Sequence, residues 1–548
     1  MRRLPFILAC LMLLCSCQRE RMHGDSGKEP QQHCVKMSFK LDAGVTKSTA
    51  GQAEEDRIAN LAVICLPLEN GSENWKDCAI TTFDDPDVTE GVFTANVNTF
   101  VGNNVFYVLT NYTQEMLEFV QGTSVGAGKG FRKDRASAFA PAIGASGFGQ
   151  RQEELIGSFR SDSRGYAMMA KCTDGSGSST VFIAPGATSA SLDGELHRMV
   201  ANVHMEFATY PDDPDYVVIE GFIDTHAGEI PADVLVEGVS ESSGSQAGWI
   251  PLNSIRYCLN AVNTKVYLEA DALCDDPSVF ASDPNFLLDD VIVPVGADWT
   301  YADGYGSDFI YWDPNAAEEL FDSLDGTASW MTAPPGVLYC LENTVSSTDF
   351  LKGFEPASSY RRIAPRRATT HLLVEARFTP RYIIIGRTAE GTREHIYRSF
   401  SNIEDAIAIL KDNEHLSEPG DGTFWTPDLR HFYNWEGVQA EIAYSQEMHT
   451  ADPSYRQFTI NDFVKYSRGK CYYTAFISGE TATDPDTGRQ YITFVDGESS
   501  VRRDASYTLN AKVLHVPSIS TTMMEINTSN RLTWPERDGH GEINILPQ

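Results

Sequence analysis

The first chemistry that the sequence offers is lipid attachment to a cysteine near the N-terminus. The tetrapeptide Leu14-Cys15-Ser16-Cys17 closes an apolar run. A bacterial lipoprotein signal needs a small residue directly before the acylated cysteine, because the pocket of the signal peptidase is tight there. Ser16 before Cys17 satisfies this requirement, whereas Leu14 before Cys15 does not. We therefore expect Cys17 to carry the lipid; the alternative is an ordinary secretory signal with incidental cysteines.

A second kind of chemistry, proteolytic cleavage, is favoured between residues 42 and 57. This segment is rich in small polar residues, and exposed segments of that kind are preferred sites of nicking. A trypsin-like protease cuts after Lys or Arg. The candidate sites are therefore the bond between Lys47 and Ser48 and, less favoured, the bond after Arg57.

Catalytic and metal-binding motifs are not found in the sequence, so we predict a protein that is not an enzyme and that carries no cofactor or metal. The glycine-rich residues 122–130 have one residue too many for a phosphate-binding loop, and Gly130 stands where that loop needs Ser or Thr. Residues 484–488 lack the glutamate of a calcium loop. The eight cysteines beyond Cys17 show no C-x-x-C spacing. They are either disulfide partners in an exported protein or small buried hydrophobic residues.

The segment that presents Cys17 has the layout of an export signal. Arg2 and Arg3 precede an apolar stretch, residues 4–14, with the length of a signal-peptide core. That stretch is too short to span a bilayer as a helix. Residues 18–33 are polar and are predicted to form a flexible tether. A diacylated Cys17 after this signal would hold the protein at a membrane surface.

The element that follows the tether is a predicted strand over residues 34–41. Its apolar residues alternate with polar ones, which is the period of a strand with one buried face. Burying the four apolar side chains contributes about 6–10 kcal/mol before entropy is counted. A domain that lost this strand would expose an apolar groove and an unpaired sheet edge. The alternative is an uncut first strand of a β-sandwich. The apolar residues are Val35, Met37, Phe39 and Leu41.

Composition and charge fit an exported β-rich protein. The chain has 548 residues, which suggests two or three domains, and a formal net charge of −33. Its acidic residues are spread along the whole sequence, which argues against nucleic-acid binding and for a self-repelling surface. Four arginines, at positions 361, 362, 366 and 367, interrupt the acidity. They form either a solvated loop or a contact for acidic residues of a neighbouring subunit.

Beyond the cleavable segment the pattern predicts mainly strands with a few short helices. Residues 58–68 are nearly all apolar, as in a strand buried on both faces. Short helices are predicted over residues 113–121 and 315–324, and a capping-box pattern predicts another over residues 401–411. Residues 432–435 are predicted to be a strand. The last strand candidate, residues 524–534, places Met524, Ile526, Leu532 and Trp534 on one face, with Thr528 and Asn530 between them.

The N-terminal signal, the first strand and the Lys47 segment resemble the precursors of Bacteroidales type V pilins, the fimbrillins, and among them the shaft pilins of minor fimbriae. The resemblance extends over most of the chain, and the order of its short motifs makes the set specific. These motifs lie at Val105 to Asn111, Tyr166 to Met169, His197 to Val203, Ile255 to Leu268, Cys340 to Thr344, Ala376 to Pro380, Gly469 to Tyr473 and Val501 to Tyr507. Two residues depart from the family: Lys47 stands in place of an arginine, and Arg503 in place of an asparagine.

The resemblance implies two transthyretin-like β-sandwich domains in tandem. Residues 1–16 would be the signal peptide, 17–47 a lipidated propeptide with the removable strand, 48–247 the N-terminal sandwich and 248–548 the C-terminal sandwich with a donor-strand tail. The resemblance also implies that a trypsin-like protease cuts after Lys47. A C-terminal strand of another subunit, carrying Met524, Ile526, Leu532 and Trp534, would then fill the groove.

Two functions are open at this point. The first is a structural pilus subunit that passes through the lipoprotein export machinery to the outer membrane, joins copies of itself or related pilins in a fimbrium, and supports adhesion to host or bacterial surfaces. The second is a surface lipoprotein that never polymerises and serves as an anchor, an accessory subunit or an adhesin for glycan or protein. The aromatic residues 301–312 are the candidate binding site for the second function.

Overall fold

The computed structural model describes residues 32–42, 58–74, 77–89, 91–126, 138–144, 148–161, 165–220, 248–269, 291–294, 308–311, 331–332, 337–343, 360–363, 370–389, 393–411, 422–427, 431–477, 480–483, 490–493, 501, 503–511, 514–515, 524–525 and 531–533. The fold is mainly β, which confirms the predicted fold class. In this described part of the chain, no helix is both long enough and apolar enough to cross a membrane.

The first part of the chain contributes two sheets that pack face to face. One sheet has the strand order β10-β1-β6-β5, and the other is built around β2, β7 and β8. The strands are β1 (Gln32–Asp42), β2 (Asn60–Glu69), β3 (Ser72–Glu73), β4 (Ala79–Asp84), β5 (Val88–Thr89), β6 (Val92–Phe100), β7 (Gly102–Thr110), β8 (Met168–Lys171), β9 (Val181–Ile183), β10 (Ser189–Glu195) and β11 (His197–Arg198).

The second part contributes a sheet of order β22-β12-β33-β36 and a sheet of order β21-β17-β24-β30-β35, with several two-stranded pairs around them. Their strands are β12 (Val200–Phe207), β13 (Thr209–Tyr210), β14 (Asp213–Val217), β15 (Ile219–Glu220), β16 (Gly248–Trp249), β17 (Arg256–Asn260), β18 (Val262–Asn263), β19 (Val291–Pro294), β20 (Phe309–Ile310), β21 (Met331–Thr332), β22 (Leu338–Leu341), β23 (Tyr360–Ile363), β24 (His371–Arg377), β25 (Thr379–Pro380), β26 (Tyr382–Arg387), β27 (His395–Ser399), β28 (Phe424–Thr426), β29 (Val464–Tyr466), β30 (Lys470–Phe476), β31 (Glu480–Thr483), β32 (Gln490–Thr493), β33 (Ala505–Ala511), β34 (Leu514–His515), β35 (Met524–Glu525) and β36 (Arg531–Thr533).

The sheets of the second part cross the predicted domain boundary at residues 247 and 248. Strand β12, which that boundary assigns to the first unit, pairs antiparallel with β22 and parallel with β33. The chain therefore enters the second pair of sheets at Val200, about fifty residues before the expected boundary. Local sequence patterns do not reveal this crossing because both partners of β12 lie far along the chain.

Four α-helices lie in the described ranges: α1 (Gln114–Gly126), α2 (Phe148–Gly157), α3 (Ile403–Lys411) and α4 (Trp435–Ala451). The predicted helices near residues 113 and 401 are confirmed, although α3 is capped by Asn402, whose Oδ1 accepts from the Asp405 backbone N–H at 2.9 Å. The predicted strand over 432–435 is wrong, because Tyr433 makes isolated bridges to Ile384 and Trp425 and the segment runs into a helix. Asn434 is the N-cap of α4, and its side chain accepts from the Gly437 N–H. Residues 315–324 lie outside the described residues.

Strand β2 separates two hydrophobic cores. Leu61, Val63 and Cys65 face the core between the two sheets of the first part. Ala62, Ile64 and Leu66 face a larger core that includes α1, α2 and the sheets of the second part. This burial on both faces confirms the interpretation of the continuous apolar run at residues 58–68.

Candidate functional site

Strand β1 is the best candidate for a functional element because it comes first among the strands that the structure describes and yet is central in its sheet. Its four apolar side chains are fully buried, with exposures of 0% for Val35, Met37 and Phe39 and 4% for Leu41. Lys36 and Lys40 point the other way and are exposed. The predicted alternation is therefore confirmed residue by residue.

Backbone pairing ties β1 to a neighbour on each side. It runs antiparallel to β6, with Phe39 opposite Phe93, and parallel to β10, with Phe39 opposite Leu192. The Lys36 N–H donates to the Thr188 carbonyl at 3.2 Å, and the Leu41 N–H donates to the Gly91 carbonyl at 2.6 Å. Removal of β1 would leave two unpaired strand edges that face each other across one strand width.

We call the space that β1 fills, between β6 and β10, the β1 groove. Its floor is mainly apolar, because the buried face of the opposite sheet meets β1 in one hydrophobic core; the buried Asn104, which accepts from the Cys65 thiol, is a polar exception. The Phe39 ring stacks on Phe93 with centroids 6.3 Å apart. The floor residues of the opposite sheet are Leu61, Val63, Cys65, Phe106, Val108, Met168, Ala170, Cys172, Val181 and Ile183.

Two glycines shape the end of the groove that holds Leu41. A Cβ on Gly194 would lie 3.5 Å from the Leu41 Cδ2 and 3.2 Å from the Cys172 Sγ, so the absent side chain leaves room that Leu41 uses. Gly91 adopts φ +76°, and a Cβ there would lie 2.9 Å from the Leu41 carbonyl oxygen. The backbone at Gly91 thus approaches β1 closely, which only glycine allows in this conformation.

The predicted chemistry of the precursor lies outside the described residues. Cys17, Lys47, Ser48 and Arg57 are all in this category, so lipidation and cleavage remain predictions. The described geometry does fix what a cut would do. Residues 43–57 lie between β1 and β2. One cut there leaves β1 held by noncovalent contacts alone.

The described parts of the predicted donor segment pair with two different sheets. Met524 lies in β35, which pairs parallel with β30, and Leu532 lies in β36, which pairs antiparallel with β33. Each strand sits at the edge of a different sheet of its own chain. Ile526 and Trp534 lie outside the described residues. The donor role of this segment therefore remains a prediction.

The described cysteines are free thiols, so the alternative of small buried hydrophobic residues holds for most of them. Burial raises the pKa of Cys172 and of Cys340 to about 12, with Asp193 adding to the shift at Cys172. Cys34, on β1, is exposed. Within the described ranges, no group of three or more His, Cys, Asp or Glu side chains could hold a metal ion.

Arg503, which departs from the fimbrillin pattern, is the centre of a buried polar network. Its Nε donates to the Glu342 Oε2 at 2.9 Å, and its two terminal nitrogens donate to the carbonyls of Leu268 and Tyr267 at 3.2 and 2.8 Å. Arg503 is 7% exposed and Glu342 is 1% exposed. The ion pair joins the end of β22 to the start of β33. Its role is therefore structural, which the sequence alone did not reveal.

A second charged cluster lies on the lobe formed by β26, β27 and α4, and sequence reasoning missed it. The Arg387 guanidinium donates to both carboxylate oxygens of Glu441, at 2.7 and 2.9 Å. His395 Nε2 lies 2.8 Å from Glu441 Oε2. Burial alone would raise the pKa of Glu441, but hydrogen bonds and charge from His395 and Arg387 outweigh burial and lower it. The cluster anchors α4 against the β26–β27 hairpin.

The solved structures that are similar to this chain include three fimbrial proteins. A fimbrilin from Porphyromonas gingivalis W83 has a TM-score of 0.36 at 10% identity, over 94% of this chain and 99% of that one. The tip fimbrial protein Mfa3 from Porphyromonas gingivalis, truncated at its C-terminus, has a TM-score of 0.30 at 11% identity, over 88% and 95% of the chains. A fimbrial assembly protein from Parabacteroides distasonis has a TM-score of 0.26 at 11% identity, over 68% and 88%.

The structural neighbours are thus fimbrilins and cell adhesion proteins from Bacteroidales, the group to which the sequence motifs show resemblance. No family model and no curated protein matches the chain.

Proposed function

We propose that this chain is an exported cell-surface subunit of a fimbrium, and that removal of β1 lets a strand from a neighbouring subunit enter the β1 groove. The observation that carries the proposal is the position of β1. It is the first strand among the described residues, it is central in its sheet, and it precedes residues 43–57, which contain Lys47. A single cut in residues 43–57 would therefore separate a buried central strand from the rest of the chain.

The energetics favour replacement of β1 over an empty groove. Exposure of the apolar face of β1 and its floor would cost on the order of 6–10 kcal/mol for the four β1 side chains alone. The two open strand edges also expose unpaired backbone N–H and C=O groups, which can pair with an extended segment of another molecule. A subunit without β1 is therefore a receptor for a strand.

Strand insertion between subunits explains a filament. A segment of one subunit that enters the groove of the next is a head-to-tail contact, and such contacts build open chains when the rotation does not close. The net charge of −33 keeps single precursors apart until a groove opens. Cys17 would attach the precursor to the outer membrane through its lipid before cleavage. No catalytic role is proposed.

An anchor or accessory subunit that keeps β1 is the second candidate. This candidate is supported by the strand pairing of the uncut chain, in which β1 fills its own groove and β35 and β36 pair with strands of the same chain. Such a subunit would stay bound to the membrane through Cys17 and would present its surface to other pilins or to glycan and protein ligands.

Limited proteolysis of the purified chain separates the two candidates. A trypsin-like protease should cut after Lys47, and a labelled peptide of residues 32–42 should then exchange into the cut protein. Lys47→Ala should abolish cutting at that bond and the exchange, whereas Arg57→Ala should change neither. If the cut protein takes up no labelled peptide, β1 is a permanent strand and the subunit is an anchor or accessory protein.

Lipid attachment is tested separately in a bacterial host with a lipoprotein pathway. Wild-type chain should partition with the outer membrane and incorporate labelled palmitate. Cys17→Ala should be released from the membrane fraction, while Cys15→Ala should behave as wild type. Palmitate incorporation that survives Cys17→Ala would show that the lipid is elsewhere.

A further inference from the structure

We infer that one end of the β1 groove fixes the register of whichever strand occupies it, and that this end requires an aliphatic residue of leucine size with a free backbone N–H. The inference rests on the proposed function and adds the chemical requirement that the groove places on an incoming strand. We call this end, which Gly91, Ala170, Cys172 and Gly194 form around Leu41, the Leu41 site.

The alternation of β1 selects a face of the strand but not a register. A shift by one residue would turn every apolar side chain outward, whereas a shift by two residues leaves all of them facing the core. The middle positions of the inner face hold Val35, Met37 and Phe39, each of which is apolar and 0% exposed. Burial of an apolar face therefore discriminates poorly between the native register and one shifted by two residues.

A forward shift by two residues is opposed by size and by polarity. It would place Phe39 in the Leu41 site, whose walls lie only 3.2 Å from the position of a Cβ on Gly194. An aromatic ring overfills such a space. The same shift would move His33 into a fully buried apolar position and break the hydrogen bond that its Nε2 donates to the Ala187 carbonyl at 2.8 Å.

A backward shift by two residues is opposed by the Leu41 site itself. Leu41 would move to the Phe39 position, and the space that it fills at 4% exposure would be empty or would hold the smaller Ala43. In a strand that ends at Asp42, the Gly91 carbonyl would also lose its donor, the Leu41 N–H at 2.6 Å. Occupation of the Leu41 site is therefore what the native register gains over the backward shift.

These two limits define the residue that an incoming strand must bring to the Leu41 site. A side chain smaller than leucine leaves a void, and an aromatic ring overfills the space. Proline is excluded, because the Gly91 carbonyl accepts a backbone N–H there. Gly91 itself is required on the groove side, since it adopts φ +76° and a Cβ on it would lie 2.9 Å from the Leu41 carbonyl oxygen.

Disulfide cross-linking between β6 and the inserted strand reads the register directly. Thr94 lies opposite Ser38, and its Oγ1 donates to the Ser38 Oγ at 3.2 Å, so cysteines at these two positions are close enough to form a disulfide. The full-length chain with Thr94→Cys is cut at an engineered protease site within residues 43–57 and exchanged with synthetic peptides of residues 32–44. Ser38→Cys in the peptide reports the native register, and Lys40→Cys reports the backward shift. All peptides carry Cys34→Ser, so the introduced cysteine is their only thiol.

Ala43→Leu in the peptide adds a second leucine, which the backward shift would bring into the Leu41 site. We expect it to lower the ratio of Ser38→Cys to Lys40→Cys cross-links by at least about 10-fold, because a buried leucine is then available in both registers. The matched control is Asp42→Leu, which adds the same side chain one residue away and out of phase with the Leu41 site. It should change the ratio by less than about twofold. An unchanged ratio with Ala43→Leu overturns the inference.

Gly91→Ala tests the groove side of the same site with a peptide that ends at Asp42. Its Cβ meets the Leu41 carbonyl only in the native register, so the share of backward cross-links should rise by about 10-fold. The control is Gly71→Ala, because Gly71 has a similar φ of +80° and no atom within 4 Å of its Cβ position. Equal effects of the two glycine changes would contradict the role of Gly91.

The proposed function and the register inference fail in different ways. If no peptide cross-links in any register, strand exchange does not occur and the proposed function fails. The same cysteine pairs in the uncut chain, with and without Ala43→Leu, then still report the register. If the native register persists there despite the second leucine, the register inference fails as well.

Discussion

Phe39→Ala is the substitution whose effect follows most directly from the position of β1. The Phe39 side chain is fully buried, and its ring stacks on Phe93 with centroids 6.3 Å apart. Truncation of a buried Phe to Ala removes its transfer free energy and leaves a cavity, which together cost about 3–5 kcal/mol. Since β1 joins β6 to β10, we expect the loss to appear as lower stability of the first pair of sheets.

Two assays measure this loss. In the uncut chain, urea unfolding followed by the fluorescence of a probe on the first pair of sheets should show a lowered midpoint for Phe39→Ala. In the cut chain, a β1 peptide (residues 32–42) that carries Phe39→Ala should bind with a dissociation constant about 100-fold to 4000-fold higher than that of the wild-type peptide. This ratio is the same free energy expressed as affinity. The matched control is Ser38→Ala on the outer face of β1, for which we expect a change within about 0.5 kcal/mol. Equal effects of the two substitutions would refute the claim that β1 is held by its apolar face.

Three further outcomes follow from contacts in the structure. Glu342→Leu removes the counter-charge of the buried Arg503 and should lower the free energy of unfolding by about 3–5 kcal/mol. The double change Glu342→Leu with Arg503→Met should cost less than the sum of the two single changes, and additive losses in this double-mutant cycle would contradict the pair. A thiol reagent at pH 8 should label the exposed Cys34 rapidly and Cys172 slowly, because burial raises the pKa of Cys172 to about 12. Release of β1 should make Cys172 reactive, and mass spectrometry of the labelled peptides measures both rates. Because the pKa of Glu441 is lowered, its ionised form stabilises the lobe above the ordinary carboxyl pKa of 4.5, and this stability is lost as the pH falls through the lowered pKa. Between pH 7 and pH 3, the urea midpoint of Glu441→Gln should therefore fall less than that of the wild type. Equal falls in the two proteins would refute the assignment.

Local sequence patterns predicted the strands that are buried uniformly, either on one face or on both. The alternation in β1 and the continuous apolar run of β2 each correspond to one physical environment, a one-sided and a two-sided strand, and both were confirmed. Helix α4 was missed because its buried face includes Gly437, Glu441 and Ser445. Apolar residues therefore do not recur along the segment with the spacing that would predict a helix. Asn434, with its side chain on the Gly437 N–H, was the available signal for that helix.

Long-range pairing was beyond the reach of those patterns. The parallel partner of β1 is β10, and the parallel partner of β12 is β33, about three hundred residues further along the chain. Register between such strands is set by the packing of whole sheets rather than by neighbours in sequence. For the same reason, the sequence did not show that β1 lies between two strands, and the removal of β1 remains a prediction.

Hydrogen exchange before and after release of β1 tests the central claim most directly. In the uncut chain, amides of β6 and β10 that face β1 should be protected. After a cut in residues 43–57 and removal of the β1 peptide, we predict faster deuterium uptake in both 92–100 and 189–195, and renewed protection in both when the β1 peptide is added back. Protection that persists in either strand after β1 has left would contradict the proposal that a cleavable central strand holds this groove.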